Sequence, residues 1–210
     1  MRKMLSLLLF SLFILPLGAD VFSHPFEGDL KELEELSPDF SSSAVVSDYK
    51  QTKLVKKLNR ELVSEGTFLL KPGSGMVWQA SKPYASVMLV GRDSVRQRTG
   101  TGKVSVLDVS SNQVYLSIAG AIESIVLGDY AHAAEVFWLY LERDGDNWTL
   151  GFKPKDEALE SYMASVIVMG QGQRMESVLM EERAGNTILY EFEGLVPTEL
   201  TDEEEALFSL

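Results

Sequence analysis

The chain has 210 residues, 45% of them apolar and 24% charged, the balance of a folded domain rather than a disordered one. Its 19 basic and 31 acidic residues leave a net charge of −12, which phosphate backbones and anionic bilayers repel, so nucleic acid is not an expected partner. Cysteine is absent, which excludes a disulfide, a thiolate metal site, a cysteine nucleophile and a cysteine-linked lipid anchor.

The first residues, "MRKMLSLLLFSLFILPLGAD", join a basic start (Arg2, Lys3) to an apolar run ending near Leu17 and a small pair, Gly18-Ala19. This pattern predicts a secretory signal peptide over residues 1–19, cleaved after Ala19, with an uncleaved anchor as the alternative. The run is short for a membrane span, which needs about 20 apolar residues. Removing it takes away Arg2 and Lys3 and leaves 17 − 31 = −14. A cysteine-free exported domain of this kind suits a bacterial periplasm.

Residues 20–210 read as a single domain. Leu30, Leu33 and Leu36 share a helical face over 28–37, and Pro38 stops that helix. From Ala44 the period turns to two. Strands are predicted near 45–54, 60–71, 75–81 and 84–91, with turns at "KKLN", "KPGSG" and "SKP" and a further strand pair around "TGTGK" at 99–103. In "SEGTFLLKPGSGMVWQASKP", Phe68 and Leu70 fall on one face and Leu69 on the other, and Met76, Trp78 and Val77 repeat the division. Such a hairpin needs cover on both sides.

A helix follows, capped by Ser110 or Ser111, with Val114, Ile118, Ile122, Ile125 and Val126 at helical spacing and a stop at Gly128. Leu116 and Leu127 widen its apolar face, so it is expected to lie against the sheet. Alternation on either side of Asp144-Gly145 predicts a hairpin. Three later strands are separated by residues 170–173 and 184–186. The acidic end, "TELTDEEEALFSL", reads as a tail of about the last 12 residues or a terminal helical turn. A curved sheet of sequential antiparallel strands must close on itself or have its concave face filled.

Residues able to do chemistry are few. His24 lies near the start, and His132 follows the helix without a second histidine; a lone histidine more often makes a structural hydrogen bond. The acidic runs "KELEEL" and "TDEEEAL" are spaced as solvated faces, not as a calcium loop. "GRDSVRQRTGTGK" lacks phosphate-loop spacing and reads as an exposed edge hairpin. No catalytic residue, metal site or cofactor is predicted, and no enzyme. The methionines (8) and aromatics (10 Phe, 7 Tyr, 3 Trp) suit either plain core or a pocket that repacks around a flexible chain.

Several short patterns together resemble the periplasmic outer-membrane lipoprotein carrier family, LolA and its LolA-like relatives. They are Tyr49 and Gln51 in "SDYKQTK", Ser64-x-Gly66-x-Phe68, and Trp78 with Pro83 in "GMVWQASKPY". Gly128-Asp129, the run Trp148, Leu150, Phe152, Pro154, and Gly170 between late strands continue the match over residues 28–194. The resemblance implies an α+β, mainly β fold: an unclosed antiparallel half-barrel whose helices cover a hydrophobic concave face. It implies a monomeric carrier that takes acylated lipoprotein, or another outer-membrane lipid, from an inner-membrane release complex to an outer-membrane acceptor. On that reading Phe68, Leu70, Met76, Trp78, Met88, Phe137, Leu139, Trp148 and Met169 line a lipid-binding cavity. Ile118, Ile122 and Ile125 belong to its lid. The family's best-known carriers place an arginine involved in lid closure just before the proline of the first hairpin. Lys71 stands there in this chain, as the expected gating residue without arginine's fork of donors. A sensory or regulatory binding domain of the same architecture, recognising a protein partner, is the alternative.

Overall fold

The computed structural model describes residues 21–210 apart from 37–39, 41, 92, 110 and 111. The expected signal segment, the Pro38 stop and the Ser110 or Ser111 cap therefore lie outside the described residues. The expected first helix is a single α-turn, α1 (Lys31–Glu34), with Leu33 buried beneath it. Six strands follow: β1 (Ala44–Val55), β2 (Arg60–Lys71), β3 (Gly75–Lys82), β4 (Ser86–Val90), β5 (Ser94–Thr99) and β6 (Val104–Asp108). Helices α2 (Gln113–Leu127) and α3 (Tyr130–Val136) come next, then β7 (Phe137–Asp144) and β8 (Asn147–Pro154). A short α4 (Glu157–Glu160), strands β9 (Met163–Gln171), β10 (Arg174–Glu182), β11 (Thr187–Phe192) and β12 (Val196–Thr198), and α5 (Asp202–Leu207) complete the chain. Helices α3 and α4 and strand β12 have no counterpart in the sequence expectations.

All strands join one antiparallel sheet in the order β6-β5-β4-β3-β2-β1-β11-β10-β9-β8-β7, with β12 beside β1. The sheet is unclosed: β6 ends one edge and β7 the other. This is the expected α+β half-barrel. The chain leaves the sheet at one edge and returns at the opposite edge, so the segment between, α2 and α3, must cross from rim to rim. That crossing puts helix over the concave face.

The pairing register decides which residues look inward. Phe68 pairs with Trp78 and Leu70 with Met76, all on the concave side; Leu69 pairs with Val77 on the convex side. The concave core runs through Phe68, Leu70, Met76, Phe137, Trp148, Phe152 and Val168, and is covered by Leu33, Ile125, Tyr130 and Leu159 of the helices. A second cluster, Leu69, Val77, Val87 and Leu89, fills the convex face under Leu207 and Phe208. The opening hairpin is thus covered twice, by the crossing helices within and by the C-terminal helix without.

The acidic terminus is therefore a docked element. Thr201 Oγ1 accepts from the Glu204 amide at 3.3 Å and the Glu204 carboxylate accepts from the Thr201 amide at 2.8 Å, a reciprocal cap that starts α5. Arg96 of β5 donates to the Leu210 backbone oxygen at 2.6 Å.

Local signals explain the crossing helices. Asn112 caps α2 by accepting from the Tyr115 amide at 3.1 Å. Gly128 ends it at φ 77°, a left-handed conformation that glycine adopts without a Cβ clash. Asp129 then caps α3 by accepting from the His132 amide at 3.0 Å. The Gly-Asp pair thus turns one helix into the next. At Gly170 a side chain is excluded, because a Cβ would lie 2.2 Å from the Trp148 ring that crosses it. The Trp148 indole is held there by donating to Gly172 O at 2.9 Å.

Candidate functional site

Beneath α2 the concave face keeps a cavity of about 210 Å³. Its floor comes from β2, β3 and β11, where Phe68, Trp78, Tyr190 and Phe192 form a ring cluster. The Phe68–Trp78 centroids are 5.1 Å apart, Phe68–Phe192 5.5 Å and Trp78–Tyr190 6.0 Å. Met76, Met88 and Val90 wall one side and Val178, Met180 and Ile188 the other. The roof is Tyr115, Ile118, Ala119, Ile122 and Val126, a stripe one helical face wide. Among the described residues no charged side chain lines the space.

The roof is unevenly anchored. Ser124, Ile125 and Val126 are buried, whereas every residue from Val114 to Gly120 is only half-buried despite its apolar composition. Glu123 ties the helix to the β2–β3 turn by accepting from the Gly73 amide at 3.3 Å. On that flank a wider hollow of about 560 Å³ adjoins the cavity, sharing Met76, Val90 and Ala119 with it. Its rim carries Asp93, Glu123, Asp129 and His132. His132 is exposed, with Nδ1 3.2 Å from Glu135, and His24 Nδ1 lies 3.1 Å from Ser23 Oγ. Among the described residues no cluster of three or more potential metal ligands forms.

Inside the cavity burial disfavours charge. Burial pushes the Tyr115 phenol up to about 12. Burial, with the Tyr49 phenol nearby, raises Tyr190 as well. Ionisation is disfavoured at both, and a guest's negative charge would meet the same penalty. Two polar atoms, Trp78 Nε1 and Tyr115 Oη, are buried and make no hydrogen bond.

The residues singled out from the sequence divide into four groups. Phe68, Met76, Trp78 and Met88 line the cavity floor and wall, and Ile118 and Ile122 line its roof. Leu70, Phe137, Leu139, Trp148 and Ile125 lie on the concave side but pack in the core away from the cavity. Met169 is a correction: it pairs with Ser177, whose neighbour Val178 is the one facing inward, so Met169 points to the convex face. Lys71 is also placed differently from the gating expectation. It follows inward-facing Leu70, so it faces outward, where its ammonium donates to Glu205 of α5 at 2.6 and 2.8 Å.

Tyr115, Met180, Ile188, Tyr190 and Phe192 line the cavity beyond the residues expected there from the resemblance. The period-two run "TILYEF" announces the last three, and the spacing 115, 118, 119, 122, 126 announces the roof.

No family model and no curated protein matches the chain. Among solved structures it is similar to a LolA superfamily protein from Nitrosomonas europaea, at 11% identity over 83% of this chain and 94% of that one, with a TM-score of 0.43. A DUF1329 family protein from Desulfovibrio piger is likewise 11% identical over 85% and 95%, with a TM-score of 0.44. LprF from Mycobacterium bovis is 11% identical over 86% and 99%, at 0.42. What the cavity can hold follows from its own lining.

Proposed function

We propose that this protein is a carrier that shelters the acyl chains of a lipoprotein or related lipid beneath α2 and moves them through the periplasm towards the outer membrane. The observation that carries the reading is a cavity lined, among the described residues, by uncharged side chains, under a largely apolar helix incompletely buried from Val114 to Gly120. Each CH₂ withdrawn from water contributes about 0.8 kcal/mol, so eight sheltered methylenes contribute roughly 6 kcal/mol. The N-terminal "MRKMLSLLLF" pattern supports export.

Size sets a condition on loading. The cavity of about 210 Å³ exceeds the ~150 Å³ space that takes up benzene but falls short of the ~300 Å³ at which ordinary ligand pockets begin. The closed form accommodates part of one chain. Further chains require α2 to move outward, exchanging its own contacts for acyl contacts and so keeping the net affinity modest. The roof segment from Val114 to Gly120 is the part with least to lose.

Mass spectrometry of lipids released from protein purified natively from a periplasmic extract tests the reading, alongside binding of an environment-sensitive apolar dye. Dye binding should be lost on Met88→Glu and retained on Met169→Glu. A native protein that yields no acyl species and takes up no dye would refute the carrier function.

A further inference from the structure

The two edges of the sheet are treated differently by the rest of the chain. Along β7 the N-terminal residues form a cover: Phe26 N–H donates to Leu139 O at 2.9 Å, Leu141 N–H donates to His24 O at 3.1 Å, and Pro25 bridges to Tyr140. At the other edge, among the described residues, no strand pairs with the outer side of β6. Edge strands are ordinarily blunted with lysine, proline or a bulge, because a bare edge is a template for another strand. The β6 sequence, "VSVLD", has neither lysine nor proline, and its pairing with β5 runs in unbroken register. All of its residues are exposed, Val106 and Leu107 at 62% each.

The ladder shows which backbone groups are on offer. Thr99 N–H donates to Lys103 O at 3.0 Å and Val109 N–H donates to Asp93 O at 3.0 Å, so residues 103, 105, 107 and 109 make the bonds to β5. The alternation leaves Val104 and Val106 with N–H and C=O directed outward. Side chains alternate as well. Val90 of the cavity wall pairs with Val95, and Val95 with Leu107. An apolar row on the concave face therefore runs from the cavity through β4 and β5 to the open edge.

The length of β6 bears on what can add to it. Pairing β6 with its copy joins only 5 residues a side, where a stable interface uses about 20–30. It also brings together two chains of net charge −12. A strand already tethered by its acyl group escapes that shortage, because the tether holds it at a local concentration on the order of mM. We infer, on the carrier reading above, that β6 is a second recognition site for the same cargo. The extended polypeptide next to the acyl group adds to the sheet as a further strand, exchanging hydrogen bonds with the backbone of Val104 and Val106 while its acyl chain lies beneath α2. Main-chain contacts accept many sequences, so the edge separates acylated protein from plain lipid.

The test uses three probes that displace the apolar dye from the full chain. They are methyl decanoate, a neutral decanoyl octapeptide of alternating threonine and serine, and the same peptide with its backbone N–H groups methylated. The decanoyl peptide should bind about tenfold more tightly than methyl decanoate (range roughly 5–150), and the methylated peptide should lose that gain. Val106→Pro removes an outward N–H but no bond to β5, a place where edge strands tolerate proline. It should abolish the gain and leave methyl decanoate unchanged within about twofold. The methylated peptide makes the same comparison on the unaltered protein. Hydrogen exchange at Val104 and Val106 should slow with the decanoyl peptide and not with methyl decanoate. A decanoyl peptide no tighter than methyl decanoate, or a gain that survives methylation or Val106→Pro, would overturn the inference and leave the carrier reading intact. So would a dimer in sedimentation that Val106→Pro dissociates, since the edge would then belong to a second copy. If neither methyl decanoate nor the decanoyl peptide displaces the dye, the carrier reading itself fails.

Discussion

Filling the cavity separates a binding site from a packing defect, and Ala119→Phe does so from the roof. Ala119 is half-buried on α2 and lines the cavity. A benzene ring fits a cavity of ~150 Å³, so a phenyl group takes up most of the roughly 210 Å³ present. It displaces about four or five methylenes of any guest, worth roughly 3–4 kcal/mol, or a loss of more than a hundredfold in affinity. Stability moves much less. Burying the ring contributes about 1.5–3 kcal/mol and imperfect fit costs about 1–3 kcal/mol, so Tm should stay within roughly 5 °C. Ala119→Leu adds less volume and should give a graded loss of about tenfold. The assay is dye or acyl-ester titration, with a thermal melt of each variant. A variant with the native Tm and undiminished affinity would show that the guest binds elsewhere.

The contact between Lys71 and Glu205 is partly exposed, so a double-mutant cycle of Lys71→Ala and Glu205→Ala in urea should give a coupling of only about 0.2–1 kcal/mol. Acyl affinity should be unchanged in Lys71→Ala; a clear change would restore a gating role to that position. Thr201→Ala removes the side-chain cap of α5 and should lower stability by about 1 kcal/mol in chemical denaturation, without altering binding. At high pH Tyr115 contributes a signed effect. Its folded value of about 12 stands above the ordinary phenol value of about 10. The stability linked to it is therefore complete below pH 10 and lost as pH rises towards 12. Urea melts at pH 9 and pH 11 should show a smaller drop for Tyr115→Phe than for the unaltered protein; an equal drop would mean that the phenol is not desolvated.

The apolar lining and its roof also explain why the helix has its composition. A helix with one charged residue, Glu123, among fifteen is too greasy to stand in water and too incompletely buried to be plain core. Such a segment gains on either cover, the sheet or a guest. Its single carboxylate sits where the β2–β3 turn offers an amide, and accepts from the Gly73 N–H there.

The strands were legible because side chains alternate along them. Phe68 and Leu70 against Leu69, and Met76 and Trp78 against Val77, separate by parity alone, and the register keeps that division. Met169 was assigned to the wrong face because residues 166–169 are continuously apolar, which erases the phase of the alternation. Its side was set by pairing with Ser177, next to a bulge in β10. The capping pattern of Thr201 and Glu204 is local, but the docking of α5 depends on a convex apolar patch formed by strands over a hundred residues earlier.

The chain by itself thus determined most of the strands, the long helix α2 and the need for cover on both sides of one hairpin, since these follow from periodicity and from side chains within a few residues; α3, α4 and β12 carry too short a pattern to announce themselves. Only the tertiary structure decided what supplies each cover and where the space remains. β11 pairs with β1, bringing Tyr190 and Phe192 beside Phe68 and Trp78, and the edge-to-edge crossing lays Tyr115 over them. The cavity and its two unpaired polar atoms arise from contacts between segments far apart in sequence, which no local pattern encodes.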